Sequence, residues 1–566
     1  MTPPAVPYLL GALALGGLLI LLPRLAARAA GAFRMLALLR RGRAVRDTDL
    51  ARAAAYHRGL PDAERAAALD DRTWNDLDLD ELFVALDHTA SEPGRQYLYH
   101  LLRTPTSDHA SLLRLERVIA ALSVDGAAAR ARAALQRLDD PRAGRLVDLL
   151  FGVLPQRPGL WWLFPLFTAG SVALLALYLS GVWPAAAAFW LALCLANILL
   201  QLAYRPRVKR FIPALHQLPA FLDVATALGA LPVDELAAER RVLRDGAGAL
   251  RTLRRLTGWL QFEPDQTNEI AGSAYEYVNL AFLLDVNAFV LAIDTIRAMR
   301  AELRAMFEAM AYIDAAQSIA AWRGTLPRWT TPELTGARKA LHVDGLVHPL
   351  VADAVPNALS LDGTGALVTG SNMSGKSTFV RAMGLGAVLG QTLHTVCADA
   401  WRGPPLRVRT SIGRADSVVE GKSYYLAEAE AVLALVRASE GEAQHLFLLD
   451  EIFRGTNTTE RVAAGYAVLG YLDRGANLVL VATHDLELLE LLGDRYAAYH
   501  LREHVADGVL SFDYRLHAGP SSTRNAIALL DVLRYPEALV ADALAAVDWQ
   551  GRRTGAAGDV TAAGGG

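Results

Sequence analysis

Lysine is nearly missing from this sequence. It occurs only at positions 209, 339, 376 and 422, although Lys and Arg together number 56. Where arginine otherwise supplies the positive charge, a lysine marks a place that suits a compact ammonium on a flexible stem. Cysteine is scarcer still. Cys194 sits inside an apolar run and Cys397 stands well apart from it, which argues against a disulfide framework or a zinc site. A dominant charge is lacking as well. A net charge of −3 gives no overall attraction for a polyanion, so any contact with nucleic acid would need a local basic face.

Between residues 158 and 204 there is no Asp, Glu, Lys, Arg or His. Two spans fit, about 160–179 and 184–204, each near the ~20 residues that cross a bilayer. Trp161, Trp162, Trp183 and Tyr204 lie at their ends, where an interfacial aromatic belt belongs. A buried hairpin in a soluble core would seldom sustain so long a charge-free stretch. A third apolar run, 6–22, lacks a positive leading segment and reads as a retained anchor rather than a cleaved signal. Arginines 24, 28, 34, 40, 41, 43 and 46 follow it before the first acid, Asp47. Arg157 precedes the hairpin, and Arg205, Arg207, Lys209 and Arg210 follow it. The excess of positive charge on these flanks assigns them to the cytoplasm. The expectation is a multi-pass protein of the cell (inner) membrane, held in the lipid bilayer by three spans.

Residues 47–157 and 205–325 have helical periodicity, and 267–323 reads as one long, nearly proline-free helical stretch. From about Leu341 short apolar or β-branched runs alternate with helices, the pattern of an α/β domain. The segment "GRRTGAAGDVTAAGGG" (551–566) has the composition of a disordered tail.

Two of the four lysines fall in motifs. Gly370-Ser371-Asn372-Met373-Ser374-Gly375-Lys376-Ser377 fits G-x-x-x-x-G-K-[ST] without a mismatch, between a strand expected at 366–368 and a helix at 378–389. The glycines let backbone N–H groups turn inward around phosphate oxygens, and the helix offers its positive N-terminus. Lys376 would reach the β- and γ-phosphates and the Ser377 hydroxyl would ligate Mg²⁺. Farther on, "HLFLLDEIFRGTNTTE" (445–460) presents a buried strand ending in two acids. Asp450 would hold the magnesium, and Glu451 would polarise the water that attacks the γ-phosphate. The strand "NLVLVATHD" (477–485) ends at Thr483-His484, which places His484 at the carboxyl edge of the sheet as a γ-phosphate sensor.

"TGSNMSGKST", "LLDEIFRGTNTTE" and "ATHDLELL" resemble the ATPase domain of the MutS mismatch-repair family, whose phosphate loop reads TG-x-NM-x-GKST. The segment "IGRADSVVEGKSYYLAEAEAVL" (412–433) is similar to the family's signature region. The resemblance implies that Ser423 reaches the nucleotide of the opposite subunit in a homodimer, and that Glu428 matches a family acid. It extends Lys376, Ser377 and their neighbours, Thr378 included, to an ATP site with Mg²⁺. "VHPLV" (347–351) and "VPNALSL" (355–361) look like the start of this domain, but Ala354 falls where the family has an aromatic that stacks on adenine. Residues 78–105 and 303–323 are similar to the start and end of the family's helical core and levers. The Phe-x-Glu wedge of the mismatch reader has no counterpart, since no Phe has Glu two residues later.

The fold class expected is therefore an α/β P-loop NTPase domain of the ABC/MutS type plus an all-α core and lever domain with transmembrane helices. The division runs 1–30 anchor, 31–75 basic juxtamembrane linker, 76–157 helical core, 158–204 membrane hairpin, 205–340 core and levers, 341–550 ATPase domain and 551–566 tail. The function expected is that of a membrane-anchored, Mg²⁺-dependent ATPase of mismatch-repair type. Its levers would hold mismatched or non-specific DNA, or alternatively act as an ATP-driven switch on a membrane or a protein partner. A transporter ATPase fits less well, because the LSGGQ signature is absent and three spans line no substrate path.

Overall fold

The computed structural model describes residues 49–123, 126–250, 277–336, 338–371, 373–412, 424–506, 509–520, 535–543 and 545–546. The apolar run 6–22 with its arginines, Asn372, half of the signature-like segment (413–423, Ser423 included), and the tail 551–566 lie outside the described residues.

The helical part is built on a few capped helices. Helix α1 (Glu92–Arg103) starts where the Ser91 hydroxyl accepts from the Gly94 N–H at 3.1 Å, with Pro93 in the first turn where its missing donor costs nothing. Helix α2 spans His109–Leu122, capped by the Asp108 carboxylate on the Ala110 N–H. Helices α3 (Leu163–Leu179) and α4 (Ala186–Val208) form an antiparallel hairpin, and α5 (Ile212–Gly229) returns into the core. Helices α6 (Leu284–Ala298) and α7 (Arg300–Arg323) follow in series. Leu303, Met306, Phe307, Met310 and Ile313 give α7 a buried stripe at helical spacing. Asp314, deep in α7, accepts from the Ala90 N–H (2.9 Å) and the Ser91 hydroxyl (2.6 Å), pinning the start of α1. A Cβ at Gly94 would lie 2.1 Å from Asp314 Oδ2, so only glycine admits this contact.

The long helix expected over 267–323 is interrupted. Residues 277–282 are helical, Leu283 turns left-handed at φ 52°, and a second break falls at Met299. Side chains cause the first break. Asn279 Oδ1 accepts from the Asp285 N–H (3.0 Å) and caps α6, while Asn197 and Thr168 of the hairpin take the carbonyls of Ala281 (2.6 Å) and Phe282 (2.7 Å). The Ala281 and Phe282 carbonyls and the Asp285 N–H thus each keep a partner across the break.

Of the three spans expected, the described residues contain one helix long and apolar enough to cross a membrane, the 186–204 part of α4, with a mean hydropathy of 2.0. Helix α3 begins three residues later than expected and has 17 residues, about 25 Å of rise against a hydrocarbon core of about 30 Å. The hairpin exposes Leu177, Phe189, Leu195 and Leu199, while Ser171, Asn197 and Gln201 face inward.

The α/β part has two sheets. A four-stranded sheet has the order β1 (Glu333–Leu334), β5 (Ala400–Gly403), β2 (Ala340–Leu346), β3 (Asn357–Asp362). The larger sheet runs β10 (Val509–Ala518), β9 (Tyr496–Ala506), β4 (Gly365–Thr369), β8 (Leu478–Ala482), β7 (His445–Asp450), β6 (Arg407–Ser411). From β9 to β6 every pairing is parallel, and β10 joins antiparallel at the edge. Strands β4 and β8 are buried throughout, as a sheet covered on both faces requires. Alternate side chains divide between two cores. Leu446, Leu448, Leu478 and Leu480 join the large core shared with the helical part, and Phe447, Leu449, Val479 and Val481 pack beneath the opposite face. Helices α8 (Lys376–Thr392), α9 (Tyr424–Ser439) and α10 (Thr458–Leu472) cover the sheet.

Candidate functional site: a phosphate loop at the carboxyl edge of the sheet

Strand β4 ends at Thr369 and the chain turns at once through Gly370 (φ 141°) and Gly375 (φ 97°), backbone conformations that favour glycine. A Cβ on Gly370 would meet Ser374 Oγ at 2.8 Å and the Leu501 carbonyl at 2.9 Å. The loop closes on itself. Ser374 Oγ donates to the Ser371 carbonyl (2.8 Å), and Lys376 Nζ donates to the carbonyls of Gly370 (2.6 Å) and Ser371 (2.9 Å). Met373 and Thr378 point outward, and α8 opens at Lys376, two residues earlier than expected.

The sheet brings the remaining expected residues to this edge. Asp450 pairs in register with Ala482, and Ala482 with Val368, so the ends of β7, β8 and β4 lie level. Ser377 Oγ donates to Asp450 Oδ2 across 73 positions of sequence. The hydroxyl and carboxylate proposed to share one magnesium ion therefore already face each other, and their hard oxygen donors suit that ion. Glu451 is buried, with φ at 53°. His484 Nε2 stands 2.5 Å from its Oε1, and the Arg454 guanidinium forms an ion pair with its Oε2 at 2.5 Å.

These neighbours set the charges. Burial pushes the Glu451 carboxyl up, but His484, Arg454 and Lys376 outweigh it and hold the group below the usual carboxylate range. Asp450 goes the other way, because burial outweighs Ser377 and the nearby cations. Burial lowers Lys376 against the pull of both acids. Glu451 is thus an ionised acceptor at neutral pH, the state a water-polarising group needs.

Several residues at the site escaped the sequence reading. Arg454 was a basic residue three positions after Glu451, a weak signal. Arg461 grips Asp485 with two hydrogen bonds (2.6 and 2.9 Å) and steadies the turn that carries His484. Tyr514 lies at an irregularity in β10 between Phe512 and Leu516, with φ at 53°, and its ring comes within 3.2 Å of a Cβ built on Gly375. Such bulges re-aim side chains beside functional sites. Ala354 is packed against the core and offers no ring. Glu428, on α9, accepts from the Phe453 N–H at 2.6 Å.

Residues 366–548 match the family model for MutS domain V. Over its α/β domain the chain is therefore similar to the MutS family. It is 34% identical over 211 residues to the DNA mismatch repair protein MutS of Natronomonas pharaonis, covering 35% of this chain and 24% of that protein. Against the DNA mismatch repair protein MutS of Thermus aquaticus the figures are 34% over 214 residues, 37% of this chain and 26% of the relative. The DNA mismatch repair protein MutS 2 of Halobacterium salinarum is 30% identical over 289 residues, which is 49% of this chain and 33% of that protein. The chain thus spans about a quarter to a third of the length of these MutS relatives.

Proposed function

We propose that this chain is a membrane-anchored MutS-type ATPase that binds Mg·ATP between the two subunits of a homodimer and uses its hydrolysis to move the helical arm formed by residues 277–323. The observation that carries the reading is the juxtaposition of Ser377 with Asp450 and of Glu451 with His484 at one sheet edge, directly above the phosphate loop. Lys376 would exchange its loop carbonyls for the β- and γ-phosphate oxygens. Ser377 and Asp450 would hold magnesium, which neutralises charge developing on the phosphates. Glu451 would orient the attacking water, with His484 and Arg454 keeping it ionised. Tyr514, not residue 354, would offer the ring for the base. Ser423 of the partner copy would close the site.

The apolar outer face of α3 and α4 and the positive flanks support insertion of this hairpin from the cytoplasmic side of the inner membrane, with the run 6–22 as a further span. The hydrogen bonds from Thr168 and Asn197 to the break in the arm support transmission of the ATPase cycle to the membrane or to a protein partner there. DNA binding is a second reading for the arm, supported by the names of the relatives. The test is purified detergent-solubilised protein assayed for Mg²⁺-dependent ATP hydrolysis, nucleotide binding and mass. Lys376→Ala should lose nucleotide, and Glu451→Ala should accumulate an ATP-bound dimer. A protein that stays monomeric when saturated with ATP, or Glu451→Ala turning over at the parental rate, refutes the reading. Mobility shifts with homoduplex, mismatched and branched DNA decide between the two roles of the arm.

A further inference from the structure

The turn that carries Glu451 is an uneasy piece of backbone. Glu451 (φ 53°) and Phe453 (φ 61°) both adopt the left-handed region, which bulky side chains avoid. Such a turn persists only where its surroundings over-determine it. Here one helix does so. The first turns of α9 bring Tyr425 and Glu428, three residues apart and so on one face, against the turn. The Tyr425 and Phe453 rings pack with centroids 6.1 Å apart, and a Cβ on Gly455 would lie 3.1 Å from Tyr425 Cβ. Glu428 Oε1 accepts the Phe453 N–H at 2.6 Å, the donor that a left-handed residue turns away from ordinary ladder partners.

We propose that Glu428 is a positioning residue for ATP hydrolysis, holding the turn from 451 to 455 so that the Glu451 carboxylate faces the γ-phosphate. The inference rests on the ATPase reading above. It makes the placement of the water-polarising group depend on the helix that begins one residue after Ser423 in the sequence. Burial raises the Glu428 carboxyl, against the Phe453 N–H bond that lowers it, so a neutral amide in its place is a mild change. What the role requires is an acceptor oxygen at that spot, with or without charge.

The test compares Glu428→Ala and Glu428→Gln with the parent in detergent, measuring ATP affinity and turnover separately. Glu428→Ala should lower kcat by on the order of 10- to 100-fold, the scale of a misplaced catalytic group, with nucleotide affinity unchanged. Glu428→Gln, whose amide oxygen still accepts from Phe453, should recover most of kcat. Where Glu428→Ala fails to fold, Glu428→Asp, one methylene too short to reach, takes its place with the same expectation. Parental turnover in the Ala or Asp variant, or equal loss in Ala and Gln, overturns the proposal. So does a fall in affinity that matches the fall in kcat. A parent without ATPase activity would instead sink the underlying reading.

Discussion

Arg323, the last residue of α7, grips Glu116 of α2 in a two-pronged ion pair with both N···O distances at 2.8 Å. The same guanidinium donates to Thr395 Oγ1 (2.9 Å) and to the carbonyls of His394 (3.1 Å) and Leu393 (3.2 Å), directly beyond the C-terminus of α8. Helix α8 begins at Lys376, so one buried arginine joins the helical arm to the far end of the phosphate-loop helix. A planar fork with five donors serves three elements here as lysine could not.

Removing that junction should cost stability. Arg323→Leu is expected to lose about 2–3 kcal/mol, less than the ~3–5 of a fully buried pair because Glu116 keeps contact with water. Burial raises the Glu116 carboxyl, but His394 and Arg323 outweigh it and hold it at about 2. The folded-state value is depressed, so this contribution is present above pH 4.5 and is lost as pH falls through about 2. Urea unfolding at neutral and acid pH measures both effects.

Asp314 has the opposite sign. Burial lifts its carboxyl from 3.8 to about 6, against the bonds from Ser91 and Ala90. The folded state therefore binds the extra proton, and this group makes the protein more stable as pH falls from about 6 toward 3.8. Asp314→Asn should flatten the stability profile between pH 3.8 and about 6. An unchanged slope in the variant would contradict the assignment.

His484→Ala removes the partner that helps hold Glu451 ionised. The Glu451 carboxyl should rise, moving the acid limb of the kcat profile to higher pH, and kcat should fall more than ATP affinity. The pH–rate profile reads this directly.

Tyr514→Ala tests the ring beside Gly375. Loss of one aromatic face is expected to weaken ATP binding by roughly 2- to 10-fold, with little effect on kcat. Titration with a fluorescent ATP analogue, competed by ATP and by GTP, would show whether the ring recognises the base.

Asn197→Leu should weaken the junction of the hairpin with the break at Leu283, leaving the Thr168 bond to Phe282 in place. It removes the bonds to Ser171 Oγ (3.0 Å) and to the Ala281 carbonyl (2.6 Å), leaving a buried carbonyl unpaired at a cost of about 1–3 kcal/mol. Thermal melting in detergent should fall while ATP affinity is retained.

The phosphate loop was legible because its chemistry is local: Gly370 and Gly375 are needed where the backbone turns, Lys376 and Ser377 follow directly, and the strand and helix flank them. Asp450, Glu451 and His484 were legible because each ends an apolar strand of a parallel sheet, where side chains converge on one edge. Arg454 and Tyr514 were not, since their roles depend on a left-handed turn and a bulge that no residue spacing announces. The break at Leu283 was invisible for a related reason. Residues 267–323 have helical periodicity on their own, and it is hydrogen bonds from Thr168 and Asn197, more than 80 positions away, that take up the released carbonyls.

What the sequence by itself determined was the set of parts: a glycine-bounded loop between strand and helix, acids at strand ends, a charge-free hairpin and capped helices, all set by backbone geometry and apolar spacing within a few turns of chain. Only the tertiary structure decided how they are joined. Arg323, Glu428 and Asn197 act on groups tens to hundreds of residues away. A buried hydrogen bond has a direction and a length that exist only once the elements carrying its two ends are packed.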